Sequence, residues 1–211
     1  MKKMIMMIAA GIVLTAVPLS AQLNTLMAGT ENTDWDISLE TGTGNTEGAS
    51  GMTTDAVREV WVRRYLSVCY PLRKMKVNSP YGYRTDPFTG KRRFHNGIDL
   101  HARGDEALAM MEGTVLKVGQ DRTSGKYVVL RHGEFTVSYC HLSRILVSKG
   151  ASVRPRDAVG ITGSTGRSTG EHLHITCRRN GKYVNPTEIF GYIKTTREKC
   201  VAALAEMSQD V

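Results

Sequence analysis

Hydrophobic and polar residues alternate over the middle of the chain, and a period of two residues is typical of strands that bury one face. Between residues 77 and 185, short runs rich in β-branched residues recur, separated by turns that contain glycine. Three of these runs are clear, at 114–118, 127–130 and 135–139. This part of the chain is therefore predicted to consist mainly of strands.

A helical period precedes the strands, because apolar residues there recur every three or four positions. We expect a helical lead-in over residues 53–76, with Thr54 or Asp55 as its N-cap. One face of this helix, a stripe of mostly apolar residues, is expected to pack on the domain rather than to bind a partner. The stripe consists of Val57, Val60, Trp61, Arg64, Tyr65 and Val68.

A second helix is predicted at the other end, over residues 191–211, with Thr195 or Thr196 as its N-cap. A chain of 211 residues suits one domain of ordinary size with flanking segments, and no internal repeat suggests another. The predicted fold is mainly β, a β-rich α+β class. It has a single strand-rich domain over residues 77–190, flanked by short helices.

The first 21 residues have the three parts of a secretory signal peptide. Lys2 and Lys3 form the charged end, residues 4–17 the apolar stretch, and residues 19–21 a small-residue cleavage site. The apolar stretch is short for a membrane span, although an uncleaved anchor is the alternative. We therefore expect an exported protein, periplasmic or extracellular, with no stable membrane insertion after processing.

Residues 22–52 are rich in Thr, Gly, Asn, Glu and Ser. Such a composition buries too little apolar surface to offset the entropy cost of ordering, so a flexible linker is predicted. A second interpretation is a pro-segment that covers the functional cleft with carboxylates such as Asp34 and Asp36.

Five polar residues stand out from the strand pattern: His95, Asp99, His141, His172 and His174. Imidazole nitrogens and carboxylate oxygens are ligands of catalytic zinc, where three protein ligands leave a fourth position for water. His172 and His174 are two residues apart, so on a strand both side chains point to one face. The five residues together supply what a mononuclear zinc hydrolase requires.

Four segments match one family in the right order: SPYGYRTDPFTGKRRFHNGIDLHA, GTVLKVG, VVLRHGEFTVSYCHLSRILVSKGASV and GITGSTGRSTGEHLHITCRRNGKYVNP. Through them the chain from about Val77 to Ile189 resembles the M23 metallopeptidases, the lysostaphin-type or LytM-type endopeptidases of peptidoglycan. The resemblance implies a LytM-type antiparallel sheet domain with an open active-site groove and one zinc ion per chain.

Carried over to this sequence, the family pattern makes His95, Asp99 and His174 the zinc ligands, with His141 and His172 as the catalytic pair beside them. The implied reaction is hydrolysis of a peptide bond by metal-activated water, with an imidazole that takes and returns the proton. No HExxH sequence occurs, so there is no helical glutamate base. Which of the two histidines is the general base is left open.

The implied substrate is peptidoglycan, cleaved in its cross-links or stem peptides. The sequence does not indicate which bond is cleaved. The protein is expected to be a monomer. The alternative is a noncatalytic LytM-type module that binds the wall or activates another wall hydrolase. Degenerate members of that kind lose ligands, whereas this chain keeps all three ligands and both catalytic histidines.

Charge is unevenly distributed in this chain of net charge +8. Residues 61–211 contain 25 Lys and Arg against 13 Asp and Glu, whereas residues 22–60 contain one Arg against seven acids. In an exported protein, a basic domain favours an anionic wall polymer over nucleic acid, and no nucleic-acid partner is expected. Arg167, Arg178 and Arg179 either meet substrate carboxylates or belong to a solvated basic face.

The glycine-rich segment GITGSTGRSTGEHLH lacks the lysine of a phosphate-binding loop. Gly163, Gly166 and Gly170 are instead predicted to let this loop fold tightly and form one wall of a narrow groove. Two other histidines receive no ligand role. His101 is expected at the substrate rim or in a structural role, and His132 is expected to be solvated in a turn.

Four cysteines in an exported chain allow two disulfides. Cys140 and Cys177 each lie an odd number of residues from a site-facing histidine, so strand alternation predicts that they pair behind the active site. Cys69 and Cys200 would then join the flanking helices. Free thiols are the alternative.

Overall fold

The computed structural model describes residues 53–208. Two helices flank thirteen strands in the order α1, β1–β13, α2. The helices are α1 (Thr54–Leu66) and α2 (Thr187–Glu206), and the strands are β1 (Val77–Ser79), β2 (Gly82–Thr85), β3 (Arg92–His95), β4 (Gly97–His101), β5 (Glu106–Leu108), β6 (Gly113–Asp121), β7 (Gly125–His132), β8 (Phe135–Leu142), β9 (Arg144–Ile145), β10 (Ser152–Val153), β11 (Ala158–Ile161), β12 (His172–Arg179) and β13 (Lys182–Val184).

The strands form one large sheet and two smaller ones, and every pairing is antiparallel. The large sheet has the order β1-β4-β12-β8-β7-β6-β10, with β13 paired to β12. A second sheet has the order β5-β11-β9, and β2 and β3 form a hairpin of their own. The predicted β-rich α+β fold with an antiparallel sheet is confirmed.

One face of the large sheet forms the hydrophobic core. On β12, Leu173 and Ile175 are fully buried, and their partners on β4 are Leu100 and Ile98. Directly opposed residues share a face, so these four side chains pack together. The helix α2 contributes apolar side chains to the same core, among them Ile189 and Ile193. The opposite face is thereby left free for polar residues.

The helix caps differ from the predicted ones. The N-cap of α1 is Thr53, whose hydroxyl accepts a hydrogen bond from the amide of Ala56 at 3.3 Å. The prediction of Thr54 or Asp55 was wrong because the chain becomes helical one residue earlier. No residue of α1 is fully buried, and the stripe reaches the core only at Val68, just beyond the helix.

The helix α2 is 20 residues long and begins at Thr187, directly after Pro186. The predicted start at residue 191 was late, and neither Thr195 nor Thr196 is a cap. Thr196 is buried inside the helix. None of the described helices is both long enough and apolar enough to span a membrane. The predicted signal peptide and linker lie outside the described residues.

His132 is buried rather than solvated, with 3% of its surface exposed. It is the last residue of β7 and follows the buried Val128 and Leu130 at two-residue spacing, so it faces the core. Its Nδ1 lies 3.0 Å from the carbonyl oxygen of Glu112, and its Nε2 has no partner among the described residues. Burial lowers the pKa of this imidazole.

All four cysteines lie within the described residues and are buried free thiols. The predicted pairing of Cys140 with Cys177 was wrong because the two lie on opposite faces of the sheet. Cys177 packs in the core, whereas Cys140 is the cross-strand partner of His174 and lines the groove. Cys69 donates a hydrogen bond to the carbonyl oxygen of Ala109 at 3.1 Å instead of joining a disulfide.

Candidate functional site

The floor of the site is the polar face of the large sheet. On β12, His172 and His174 alternate with the buried Leu173, as the two-residue period predicts. The strand register places Asp99 of β4 directly opposite His174, so both side chains rise on the same face. The fourth residue, His95, lies at the end of β3, and only Asn96 separates it from β4.

Gly97 allows the cluster to close, because the backbone of β4 passes against the ring of His174. A Cβ at position 97 would lie 2.7 Å from Cε1 and 2.8 Å from Nε2 of that ring. No real Cβ makes contacts this short, so a side chain here would displace the imidazole.

Three donor atoms converge in the resulting cluster: His95 Nε2, Asp99 Oδ1 and His174 Nδ1. They lie within 4.8 Å of one another. His174 Nδ1 is 2.6 Å from Asp99 Oδ1, and His95 Nε2 is 3.1 Å from His174 Nδ1 and 3.3 Å from Asp99 Oδ1. Ligands at about 2 Å from a tetrahedral zinc lie about 3.3 Å apart. Two of the three separations are close to this value, and the donor types are ones that zinc accepts.

Outer contacts orient the three side chains. His95 Nδ1 lies 2.8 Å from the carbonyl oxygen of Pro80, so it donates there and leaves Nε2 free. Arg84 donates to Oδ2 of Asp99 at 3.2 Å and leaves Oδ1 for the cluster. Burial alone would raise the pKa of Asp99, but hydrogen bonds and charge from His174 and His95 outweigh it and lower the pKa. The carboxylate is therefore ionised, as a ligand must be.

His141 and His172 lie beside the cluster, with ring centroids 4.7 Å apart. His141 Nδ1 is 2.8 Å from the carbonyl oxygen of Thr165, and His172 Nδ1 is 2.8 Å from that of Gly170. A carbonyl accepts only, so these contacts assign a proton to each Nδ1, and in the neutral form of either ring Nε2 is the proton acceptor. His172 Nε2 lies 3.6 Å from Asp99 Oδ1, which places it at the cluster.

The pKa of His141 is lowered to about 4. Burial is the largest cause, and the neighbouring His172 and His174 act in the same direction, while the Thr165 carbonyl opposes them. The imidazole is therefore neutral at pH 7 and able to accept a proton at Nε2.

A β-bulge brings His141 into the site. Lys126 pairs with Leu142 and Val128 pairs with Tyr139, so two residues of β8 oppose one residue of β7. The two residues of β8 in the bulge are Cys140 and His141. His141 has a left-handed φ of 64°. Both side chains consequently line the groove, which strand alternation alone would not allow.

The groove has a volume of about 650 Å³ and runs over the floor between two loops. The turn of the β2–β3 hairpin lines it with residues 86–88, and the glycine-rich loop at 163–170 lines it with residues 167–169. Arg167 joins them with two hydrogen bonds to the carboxylate of Asp86, at 2.8 and 2.9 Å, and its guanidinium lies 4.5 Å from the ring of Phe88.

The glycine-rich loop packs closely at Gly163 and Gly166, as predicted, but not at Gly170, where an added Cβ would meet nothing within 4 Å among the described residues. A Cβ at Gly163 would lie 2.8 Å from the backbone nitrogen of Ser143, and one at Gly166, where φ is 74°, would overlap the backbone of Gly125. His101 lies opposite His172 in the register but is exposed and does not line the groove.

Sequence reasoning missed Arg84, Asp86 and Cys140. The segment RTDPFTG offers a signal for the first two, because an acid before proline is typical of a tight turn and the arginine lies two residues earlier on β2. For Cys140 the signal is the two-residue period of β8, because Cys140 shares parity with Thr136 and Ser138, which also line the groove.

Curated proteins similar to this chain include a metalloprotease and a peptidoglycan endopeptidase of bacteria. One is an uncharacterized metalloprotease of Haemophilus influenzae, 42% identical over 125 residues, which are 57% of this chain and 26% of that protein. Another is the peptidoglycan DD-endopeptidase ShyC of Vibrio cholerae, 36% identical over 122 residues, which are 56% of this chain and 28% of that protein. The match thus spans little more than a quarter of either relative.

Solved structures share the fold. A zinc-containing peptidase from Vibrio cholerae superposes with a TM-score of 0.50 at 32% identity, over 55% of this chain and 37% of that one. The catalytic domain of lysostaphin from Staphylococcus simulans gives 0.50 at 26% identity, over 57% of this chain and 92% of that one. The sequence model of Peptidase family M23 matches residues 93–186, which contain all five site residues. The part of the chain that contains the site is therefore similar to peptidase family M23.

Proposed function

We propose that this chain is a zinc-dependent endopeptidase that hydrolyses peptide bonds in peptidoglycan cross-links or stem peptides. The observation that carries the proposal is the convergence of three ligand atoms beside two imidazoles, each hydrogen-bonded through Nδ1, on the floor of an open groove. The similarity to a peptidoglycan DD-endopeptidase supports the substrate class.

His95, Asp99 and His174 are the proposed ligands, with one zinc ion per chain. When bound, zinc supplies a Lewis acid for the scissile carbonyl and for a water molecule. The ligand set of two imidazoles and one carboxylate leaves room for that water, as in other catalytic zinc sites.

His141 and His172 are the proposed proton carriers. Each has Nδ1 engaged with a backbone carbonyl, so Nε2 is the nitrogen that can accept a proton. His172 Nε2 lies 3.6 Å from Asp99 Oδ1, and the ring of His141 lies 5.7 Å from that of His174 between centroids. One takes the proton of the attacking water, and a proton is returned to the leaving amine. Positioned proton transfer of this kind contributes roughly 10²–10⁴-fold to a rate.

A noncatalytic regulatory module is less well supported, because the chain keeps all five side chains in one cluster. We further propose that the protein is exported by its N-terminal leader and acts in the periplasm or outside the cell, where peptidoglycan lies. A monomer suffices, since one chain supplies every residue of the site.

The test is mass spectrometry of fragments released from peptidoglycans of several cross-link types, with and without a zinc chelator. New peptide termini that disappear with chelator and return with added zinc are expected, and they identify the bond. A His141→Ala sample controls for contaminating hydrolases. No new termini from any wall, despite bound zinc, would contradict the proposal.

A further inference from the structure

The three arginines that the sequence singled out, Arg167, Arg178 and Arg179, have different environments. Arg167 is paired with Asp86, and Arg179 donates to Glu134 at 2.8 Å. Arg178 has no carboxylate within 4.0 Å among the described residues. Of these three arginines, Arg178 is therefore the one that forms no ion pair with an acid in the described part of the chain.

Arg178 lies on the face of β12 that carries the site. It is four residues from His174, an even number, and it lines the same groove. Arg179 has the opposite parity and is absent from the groove lining. A strand rises about 3.3 Å per residue, so Arg178 lies about 13 Å along the floor from the proposed ligand His174.

The guanidinium of Arg178 is held in place by Tyr183, its cross-strand partner on β13. It donates to the Tyr183 hydroxyl at 2.6 Å and lies 4.2 Å from the centre of the ring. A guanidinium has five N–H donors, so the remaining ones are available to a ligand in a fixed fork. Pre-orientation of this kind reduces the entropy lost on binding.

Small polar side chains cover the floor between the two positions. Thr176 of β12 is opposite Ser138 of β8, and Arg178 is opposite Thr136. All of these residues line the groove. An extended peptide can therefore lie along this floor from the ligand cluster to Arg178 without meeting a bulky side chain on these two strands.

The acids that line the groove do not compete for Arg178. Asp86 is engaged by Arg167, and Asp99 belongs to the ligand cluster. Asp121 accepts amide hydrogen bonds from Thr123 and Ser124 at 2.8 and 2.6 Å. These three are the carboxylates among the described lining residues, whereas five cationic side chains line the groove: Arg84, Arg93, Lys117, Arg167 and Arg178.

We propose that Arg178, oriented by Tyr183, is a subsite for a carboxylate of the substrate, about four peptide residues from the bond that is cleaved. The proposal rests on the proposed function, because it takes the ligand cluster as the point of cleavage. It predicts that the enzyme prefers an anionic peptide to the same peptide with neutral amides.

The test is a binding measurement that requires no turnover. A fluorescent cross-linked peptidoglycan dimer, and the same dimer with its carboxyl groups converted to amides, are titrated against full-length zinc-loaded His141→Ala. In this background we compare Arg178→Gln with Arg179→Gln, which removes the neighbouring charge on the other face. Tyr183→Phe keeps the charge and removes the orienting hydroxyl.

Amidation is expected to weaken binding about fivefold in the parent and in Arg179→Gln, near the upper limit for an exposed ion pair. Arg178→Gln is expected to bind both dimers equally. Tyr183→Phe is expected to show an intermediate ratio of the dissociation constants for the amidated and the anionic dimer. An undiminished preference in Arg178→Gln, no preference in the parent, or no binding of either dimer would overturn the proposal.

The same dimers separate this proposal from the proposed function. If the wild-type protein binds the anionic dimer preferentially through Arg178 but releases no chelator-sensitive fragments, the subsite stands and the peptidase function fails. If it cleaves both dimers and binds them equally, the function stands and the subsite fails.

Discussion

His141 and Thr165 are joined by a 2.8 Å hydrogen bond from Nδ1 to the backbone oxygen, which ties the bulge of β8 to the glycine-rich loop. Thr165 also accepts a hydrogen bond at its hydroxyl from the amide of Lys126 at 2.9 Å. The position of the proposed proton carrier therefore depends on where this loop lies, and the loop rests on Gly125.

Gly125→Ala is expected to reduce both stability and activity. Gly125 has a φ of 64°, and a Cβ there would overlap the backbone and hydroxyl of Thr165. The matched control is Gly133→Ala, which has a φ of 55° and open space around the added Cβ. The free energy of unfolding of the control should fall by about 1 kcal/mol because of backbone strain alone. Denaturant titration should show a larger loss for Gly125→Ala, and equal losses would contradict the predicted overlap.

His174→Ala is expected to lose bound zinc, because it removes one of three ligand atoms. His141→Ala and His172→Ala are expected to retain zinc and to lose roughly 10²–10⁴-fold in rate, because only a proton carrier is removed. Metal content by elemental mass spectrometry, measured beside the hydrolysis rate, separates the two classes. If all three variants were equally free of zinc, the proposed division of roles would be wrong.

Asp86→Asn is expected to lower the melting temperature at neutral pH. Burial alone would raise the pKa of Asp86, but the amides of Phe88 and Thr89 and the charge of Arg167 outweigh it and lower the pKa to about 2. An unfolded aspartate has a pKa of about 3.9. The stabilisation is therefore complete above about pH 4 and is lost as the pH falls toward about 2.

Melting temperatures of the wild type and Asp86→Asn should consequently converge as the pH falls through this window. Glu59→Gln serves as a control, because its exposed pair with Arg63 on α1 should contribute less than about 0.5 kcal/mol. A gap between wild type and Asp86→Asn that stays constant down to the lowest pH at which both are folded would contradict this account.

The four cysteines should titrate as four thiols in denaturant without reductant, and react very slowly in the native protein. Burial raises the pKa of Cys140 and of Cys177 to about 12, which suppresses the reactive thiolate. Reductant should leave the melting temperature unchanged. Fewer than four thiols in the unreduced, denatured protein would reveal a disulfide and contradict the free-thiol structure.

The sequence by itself predicted the faces of regular strands. The period of two placed His172 and His174 on one face of β12 and Leu173 on the other, because a regular strand alternates without exception. The mainly β fold followed from the same pattern. The N-caps were missed by one or two residues in α1 and by nine or ten in α2, since local capping signals compete with packing that the sequence does not display.

Only the tertiary structure decided the features that depend on a distant partner. A bulge broke the alternation at His141, so its side chain lines the groove on the same face as the adjacent Cys140. The predicted Cys140–Cys177 pair cannot form, because Cys177 packs in the core on the other face of the sheet. Arg178 and Arg179 are neighbours of equal charge in the sequence. Among the described residues, only Arg179 is paired with a carboxylate, that of Glu134, which is distant in the sequence. The fold therefore distinguishes two arginines that the sequence does not.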